Sequence, residues 1–139
     1  MRNTHVLRRR RGEQGAAAVE FALIAMLLFT LLFGIIQFSL WFWAWQAGGH
    51  AAREAARVAA VSPCDTTKIQ DAGKGPLTGP PAATTATVTP SKTSPVKVGD
   101  PITVQVTFES LDVGFFPWLD LTISKSATSR VENVPAGGC

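Results

Sequence analysis

Residues 21–40 read FALIAMLLFTLLFGIIQFSL, an apolar run broken only by Thr30, Gly34, Gln37 and Ser39. At about 1.5 Å per residue, a helix of that length spans roughly 30 Å, the hydrocarbon thickness of a bilayer. No charged side chain occurs between Phe21 and Gly49. Trp41, Phe42, Trp43 and Trp45 follow the run and include three of the four tryptophans in the chain. Indole rings favour the headgroup level, so Trp41, Trp43 and Trp45 mark one membrane interface. The other is marked by Arg2, Arg8, Arg9, Arg10 and Arg11, against only Arg53 and Arg57 close to the far end. This asymmetry predicts a cytoplasmic N-terminus, one crossing of the cell membrane and a C-terminal domain outside. A cleaved secretory signal would share the basic start, and the Ala-rich stretch after the tryptophans offers a cleavage site. Its apolar core, however, is usually about 7–15 residues, shorter than this run.

The chain has 139 residues, enough for one domain, and a formal net charge of +3. The first 15 positions hold five of the 13 Lys and Arg residues, and the remainder is close to neutral. A nucleic-acid binder carries its cations on a folded surface or a recognition helix. Here they stand in front of the apolar run, as a topology signal, and no nucleic-acid partner is expected.

The helix is expected to run on past the tryptophans to Val61. Residues 51–60 read AAREAARVAA, rich in the strongest helix former, with Arg53 and Arg57 one turn apart and Glu54 reaching Arg57. Ala52, Ala55, Ala56 and Ala59 form a flank of minimal bulk suited to packing against a neighbour. Gly48 and Gly49 are a weak point at which the helix could bend. Ser62-Pro63 ends it, because the residue before proline is pushed out of helical geometry.

Beyond Cys64 the composition shifts to Gly, Pro, Thr and Ser, and 62–101 reads as linker, with a short edge strand at 86–89. Ile102, Val104, Val106 and Phe108 then alternate with Thr103, Gln105 and Thr107, a period-two strand. Leu119, Leu121 and Ile123 repeat the pattern toward Val131. The cluster FFPW at 115–118 reads as local core on a turn. The fold class expected is α+β, one long N-terminal transmembrane helix followed by a small antiparallel β domain with long loops. Its parts are a basic leader at 1–15, helix at 16–61, linker and edge at 62–101, and exported β domain at 102–139. So small a sheet needs the helix end, a disulfide or a neighbouring subunit to be stable.

Cys64 and Cys139 lie on the expected exported side, where disulfides persist. A bond between them would staple the chain end to the top of the helix. The alternatives are free thiols or a bond from Cys139 to another chain. Neither cysteine has a CxxC partner or a nearby His cluster, so no metal site is expected. His5 and His50 are isolated. No GxSxG, HExxH, phosphate loop or paired-carboxylate arrangement occurs, and GKG at 73–75 lacks the strand and the rest of a phosphate loop. No catalytic residue, cofactor or small-molecule substrate is therefore expected.

One acid needs an explanation. Glu20 stands at the start of the apolar run, where a carboxylate deep in a bilayer costs about 2.5–3.5 kcal/mol. The plain explanation is a solvated interface position beside the arginines. The surrounding EQGAAAVEF at 13–21 resembles the processing site of type IV pilins and pseudopilins. That resemblance implies cleavage after Gly15, a new N-terminus at Ala16, Glu20 as fifth mature residue and Phe21 as sixth. GAAAVEFAL at 15–23, FGIIQF at 33–38, AAREAARVAA at 51–60 and ISKSATSRVE at 123–132 are similar to the TadE-like pseudopilins of tight-adherence (Flp) pilus systems. Major Flp pilins are shorter and place Tyr after the Glu, so Phe21 favours a minor subunit.

The resemblance implies a non-enzymatic assembly component. Its partners would be the membrane, a prepilin peptidase, the pilus platform proteins with their ATPase, and other pilin subunits. It would reside in the cell membrane or enter an extracellular pilus. The amine created at Ala16, positive below about pH 7.7–8, would be neutralised by Glu20 in the same or an adjacent subunit. The competing expectation is a bitopic anchor whose β domain binds an envelope or extracellular ligand; a secreted binding domain is the third.

Overall fold

The computed structural model describes residues 9–79, 82, 86–92, 94–112, 114 and 121–139, with side chains from residue 15 onward. The chain divides into two compact units, Met1–Ile36 and Gln37–Cys139. One helix, α1 (Arg9–Val61), runs through both. The remaining elements are α2 (Thr66–Lys74), a 3-10 turn at Gly75–Leu77, and strands β1 (Thr87–Pro90), β2 (Pro101–Glu109) and β3 (Thr122–Arg130). The α+β class expected from the sequence is borne out. The FFPW cluster at 115–118 lies outside the described residues.

From Phe21 to Ile36, α1 is apolar all round apart from Thr30. Phe21, Met26, Leu27 and Leu31 are among its exposed large hydrophobic side chains. A helix greasy on every face belongs in a protein core or in lipid, and here its large side chains are exposed. Thr30, its polar interruption, donates its hydroxyl to the Met26 carbonyl at 2.8 Å and so presents no free donor to the surroundings.

In the second unit, α1 changes character at Gln37. Ala44, Ala51, Ala52, Ala55, Ala56, Ala59 and Ala60 are buried, at the three- and four-residue spacing of one helix face. Opposite them lies a three-stranded antiparallel sheet of order β1-β2-β3. Ile102, Val104, Val106 and Phe108 of β2 are buried, while the residues between them carry the outer, hydroxyl-rich face. There Thr103 and Thr128 share a hydrogen bond of 2.7 Å, and Gln105 donates to Ser124 at 2.7 Å. Thus the alanine flank, read from sequence as suited to a neighbour, is covered by the chain's own sheet. Helix and sheet meet closely at Gly48, where a Cβ would lie 2.8 Å from the Phe108 ring and 3.3 Å from Lys125 Cγ. The glycine expected to weaken the helix instead admits an aromatic ring, and α1 continues unbroken through it.

The stretch read as linker holds a helix. Asp65 caps α2, its carboxylate accepting from the Lys68 amide at 3.0 Å and lying 3.1 Å from the Lys68 ammonium. The amide hydrogen bond, then the side-chain bond to Lys68, hold the Asp65 carboxyl below its ordinary value. The capping contribution is therefore complete above the usual aspartate range and is lost as pH falls through the lowered value. Ile69 and Gly73 turn the buried face of α2 toward β1 and α1, and Pro76 sits in the turn that follows. The sequence hid α2 because nine residues with one large apolar side chain carry little periodic signal.

The end of α1 is closed by the chain returning from β3. The Glu132 amide donates to the Ala60 carbonyl at 2.8 Å and the Ser62 amide to Val58 at 2.8 Å, satisfying carbonyls that a helix end leaves open. Val131 is buried beside them.

Two glycines of α2 and its cap separate packing from propensity. A Cβ on Gly73 would meet both Val88 methyls, at 2.8 and 3.0 Å, and Ala55 Cβ at 3.2 Å. Rotating Val88 exchanges one clash for another, so Gly73→Ala is expected to cost about 1–3 kcal/mol of packing, only partly offset by helix propensity. Gly75 has helical φ of -49° and open space around it. Gly75→Ala is expected to change stability by less than about 1 kcal/mol, because the gain in helix propensity is offset by the strain of a helical residue with a Cβ before Pro76. Thermal unfolding of the oxidised full chain in detergent, followed by circular dichroism, checks both.

Candidate membrane anchor and processing segment

Gly15, Ala16, Glu20 and Phe21 all lie on α1, and their side chains are exposed. Helical geometry places Ala16 and Glu20 on one face, a single turn apart, with Cβ atoms about 5–6 Å from one another. Among the described residues, Glu20 has no ion pair. Among the described residues, nothing lies within 4 Å of where a Gly15 Cβ would stand. Glycine inside a helix costs about 1 kcal/mol relative to alanine, and packing within the chain gives no reason for it here.

The aromatic residues after the apolar run differ in their surroundings. Trp43 and Trp45 are half exposed, whereas Trp41 is largely covered and its indole nitrogen is shielded without a hydrogen-bond partner. Phe38, Trp41, Phe42 and Trp45 join Leu121, just before β3, to line an open, almost entirely apolar groove. Lys125 of β3 lays its ammonium 3.3 Å from the centre of the Trp45 ring, a cation–π contact. Gln37, only 1 % exposed, donates its side-chain amide to the Leu111 carbonyl at 3.2 Å and ties the segment after β2 to the helix.

Sequence reasoning missed Gln37 and Lys125, although each left a signal. Gln37 is a long amide inside an apolar run. Lys125 occupies an inward position of β3, in phase with buried Ile123 and half-buried Ala127. A lysine at such a position has its stem in the core and its charge at the rim.

The structure brings Cys64 and Cys139 together in a disulfide, with Cα atoms 5.2 Å apart across 75 positions of sequence. The Ser94 hydroxyl donates to the Cys139 carbonyl nearby. His50 is exposed on α1. Among the described residues, no group of three or more His, Cys, Asp or Glu is arranged to hold a metal ion.

One helix, Gly15–Val61, is long and apolar enough to cross a membrane. Followed by a disulfide-closed α+β unit built on its own continuation, it gives the described chain the make-up of a membrane-anchored protein. Residues 15–57 match the family model described as TadE-like protein, which bears out the family resemblance read from the sequence. The match opens at Gly15 and ends within α1, so the strands, including the closing strand, lie outside it. No curated protein and no solved structure matches the chain significantly.

The bond between Cys64 and Cys139 closes a long loop around the whole sheet. In the chain-entropy treatment, its removal is expected to cost roughly 4 kcal/mol. Cys139→Ser, or reduction of the wild-type chain, should lower the unfolding midpoint together with protection of the Ala60 and Glu132 region from hydrogen exchange. An unchanged midpoint would mean that the returning chain is held by its hydrogen bonds alone.

Proposed function

We propose that the chain is a minor pseudopilin or assembly component of a tight-adherence pilus, matured by cleavage after Gly15. The observation that carries this reading is the TadE-like match, which begins at the residue where the leader would end. The open surroundings of Gly15 support it. A glycine that the fold does not need fits a requirement imposed from outside, close approach of a peptidase to the backbone.

Cleavage would remove the arginine leader that holds the N-terminus at the cytoplasmic face, and would create an amine at Ala16. That amine and Glu20 lie one helical turn apart, so they can neutralise each other within a subunit, or across to the next, once surrounded by apolar helices. The alanine face from Ala44 to Ala60 is used within the chain. The stretch 16–36 therefore remains to pack against other pilin subunits or the platform proteins. The role is structural rather than enzymatic. The N-terminus is cytoplasmic before cleavage and the disulfide-closed unit is outside, as the arginine asymmetry and the disulfide both favour.

The second reading is a bitopic anchor whose outer sheet face of Thr103, Gln105, Ser124 and Thr128 binds an envelope or extracellular ligand. Intact mass of the protein from native membranes, with and without the host prepilin peptidase, separates the two. A start at Ala16 that disappears without the peptidase is expected. Glu20→Ala and Glu20→Gln should both leave processing intact and abolish incorporation into the assembly. A start at Met1 or Arg2 in both strains would remove the amine–Glu20 pairing and leave the anchor.

A further inference from the structure

We propose that the aromatic groove beside α1 holds one anionic phospholipid from the leaflet in which that end of the helix sits. Its acyl chain would lie against Phe38, Trp41, Phe42 and Leu121, and its phosphate would rest on Lys125. This rests on the membrane reading of α1.

The groove has the composition of an amphiphile's counterpart. Its volume is about 220 Å³ and its walls are five apolar or aromatic side chains with almost no polar surface. Phe38 and Phe42 remain 66 % and 55 % exposed, so among the described residues nothing fills the groove. At one end stands a single cation. The Lys125 ammonium is held over Trp45, and among the described residues it pairs with no carboxylate. The ring takes one side of the ammonium and leaves its remaining donors for an anion.

The level along the helix agrees. Trp45 is five residues beyond Leu40, the last residue of the apolar run, which is about 7.5 Å along an α-helix axis. The headgroup layer on each side of a roughly 30 Å hydrocarbon core is about 5–7.5 Å thick. Lys125 thus meets the phosphate level, while Phe38 stands at the edge of the hydrocarbon. An acyl chain and its phosphate span that interval. A second copy's apolar helix fits less well, because the acid in its apolar segment is Glu20, about 30 Å from Leu40 along the axis. In parallel neighbours it would leave Lys125 unpaired.

The full chain reconstituted in nanodiscs of phosphatidylcholine mixed equally with phosphatidylglycerol, then released gently for native mass spectrometry, tests the proposal. One phosphatidylglycerol per chain is expected to remain on the wild type. Retention should fall about fivefold in Lys125→Gln, be kept in Lys125→Arg, and fall in Phe42→Ser, which spares the cation. Circular dichroism of each variant verifies that the disulfide-closed unit is folded. Release of every lipid from the wild type, or equal retention of the two lipids regardless of residue 125, would overturn the proposal. Retention of a second protein chain in place of lipid would also overturn it. Failure of the wild type to enter nanodiscs at all would instead remove the membrane reading beneath it.

Discussion

The second unit depends on how closely a sheet can approach a helix. At its fully buried positions from Ala44 to Ala60, α1 offers only methyl groups, with Val58 packed at the edge, and at Gly48 it offers no side chain. The Phe108 ring fills the space that a Cβ at Gly48 would need. Gly73 makes the same kind of contact from α2, against Val88 and Ala55. Because the helix contributes so little bulk, most of the core volume comes from the strands, through Val88, Ile102, Val104, Val106, Phe108 and Ile123, with Ile69 added from α2 and Leu77, Val96 and Val131 from the connections. A three-stranded sheet of this size would be marginal alone. Laid on a preformed helix, it gains a second layer without a second set of large side chains.

That economy divides one helix between two environments. From Val19 to Ile36, the large apolar side chains are exposed. From Gln37 onward, the helix is the floor of a folded unit. Gln37 stands at the boundary and spends its amide on a backbone carbonyl of the sheet side. The disulfide and the Ala60–Glu132 hydrogen bond close the far end. The stretch 16–36 makes up most of the apolar span, and it contains both Ala16 and Glu20. The segment proposed to pack against other subunits therefore lies ahead of the part that holds the small domain together.

Much of this was legible in the residues. The apolar run, the stop at Ser62-Pro63 and the alternation of β2 each rest on a strong local rule, and the helix and strand stand where those rules put them. β1 at Thr87–Pro90 falls one residue from the edge strand read at 86–89. What was missed lacks local signal. α2 is specified by one cap and the burial of Ile69, and the destination of the alanine face is tertiary information. The double glycine shows the limit most clearly. Propensity alone predicts a weak point, whereas packing makes Gly48 a contact point. Gly15 and Glu20 present the reverse case, conspicuous in the sequence and, among the described residues, without a packing or pairing role, which is what a role exercised on other molecules would produce.

Thiol accessibility reads the division of α1 position by position. Single cysteines at Ala51, Ala55 and Ala59, and at Arg53 and Arg57, would be reacted with a water-soluble maleimide in membranes, the native disulfide being left oxidised. Arg53→Cys and Arg57→Cys are expected to label rapidly. Ala51→Cys, Ala55→Cys and Ala59→Cys should resist until the protein is denatured. Labelling that is even around the helix would show that the sheet does not cover that face, and would contradict that division.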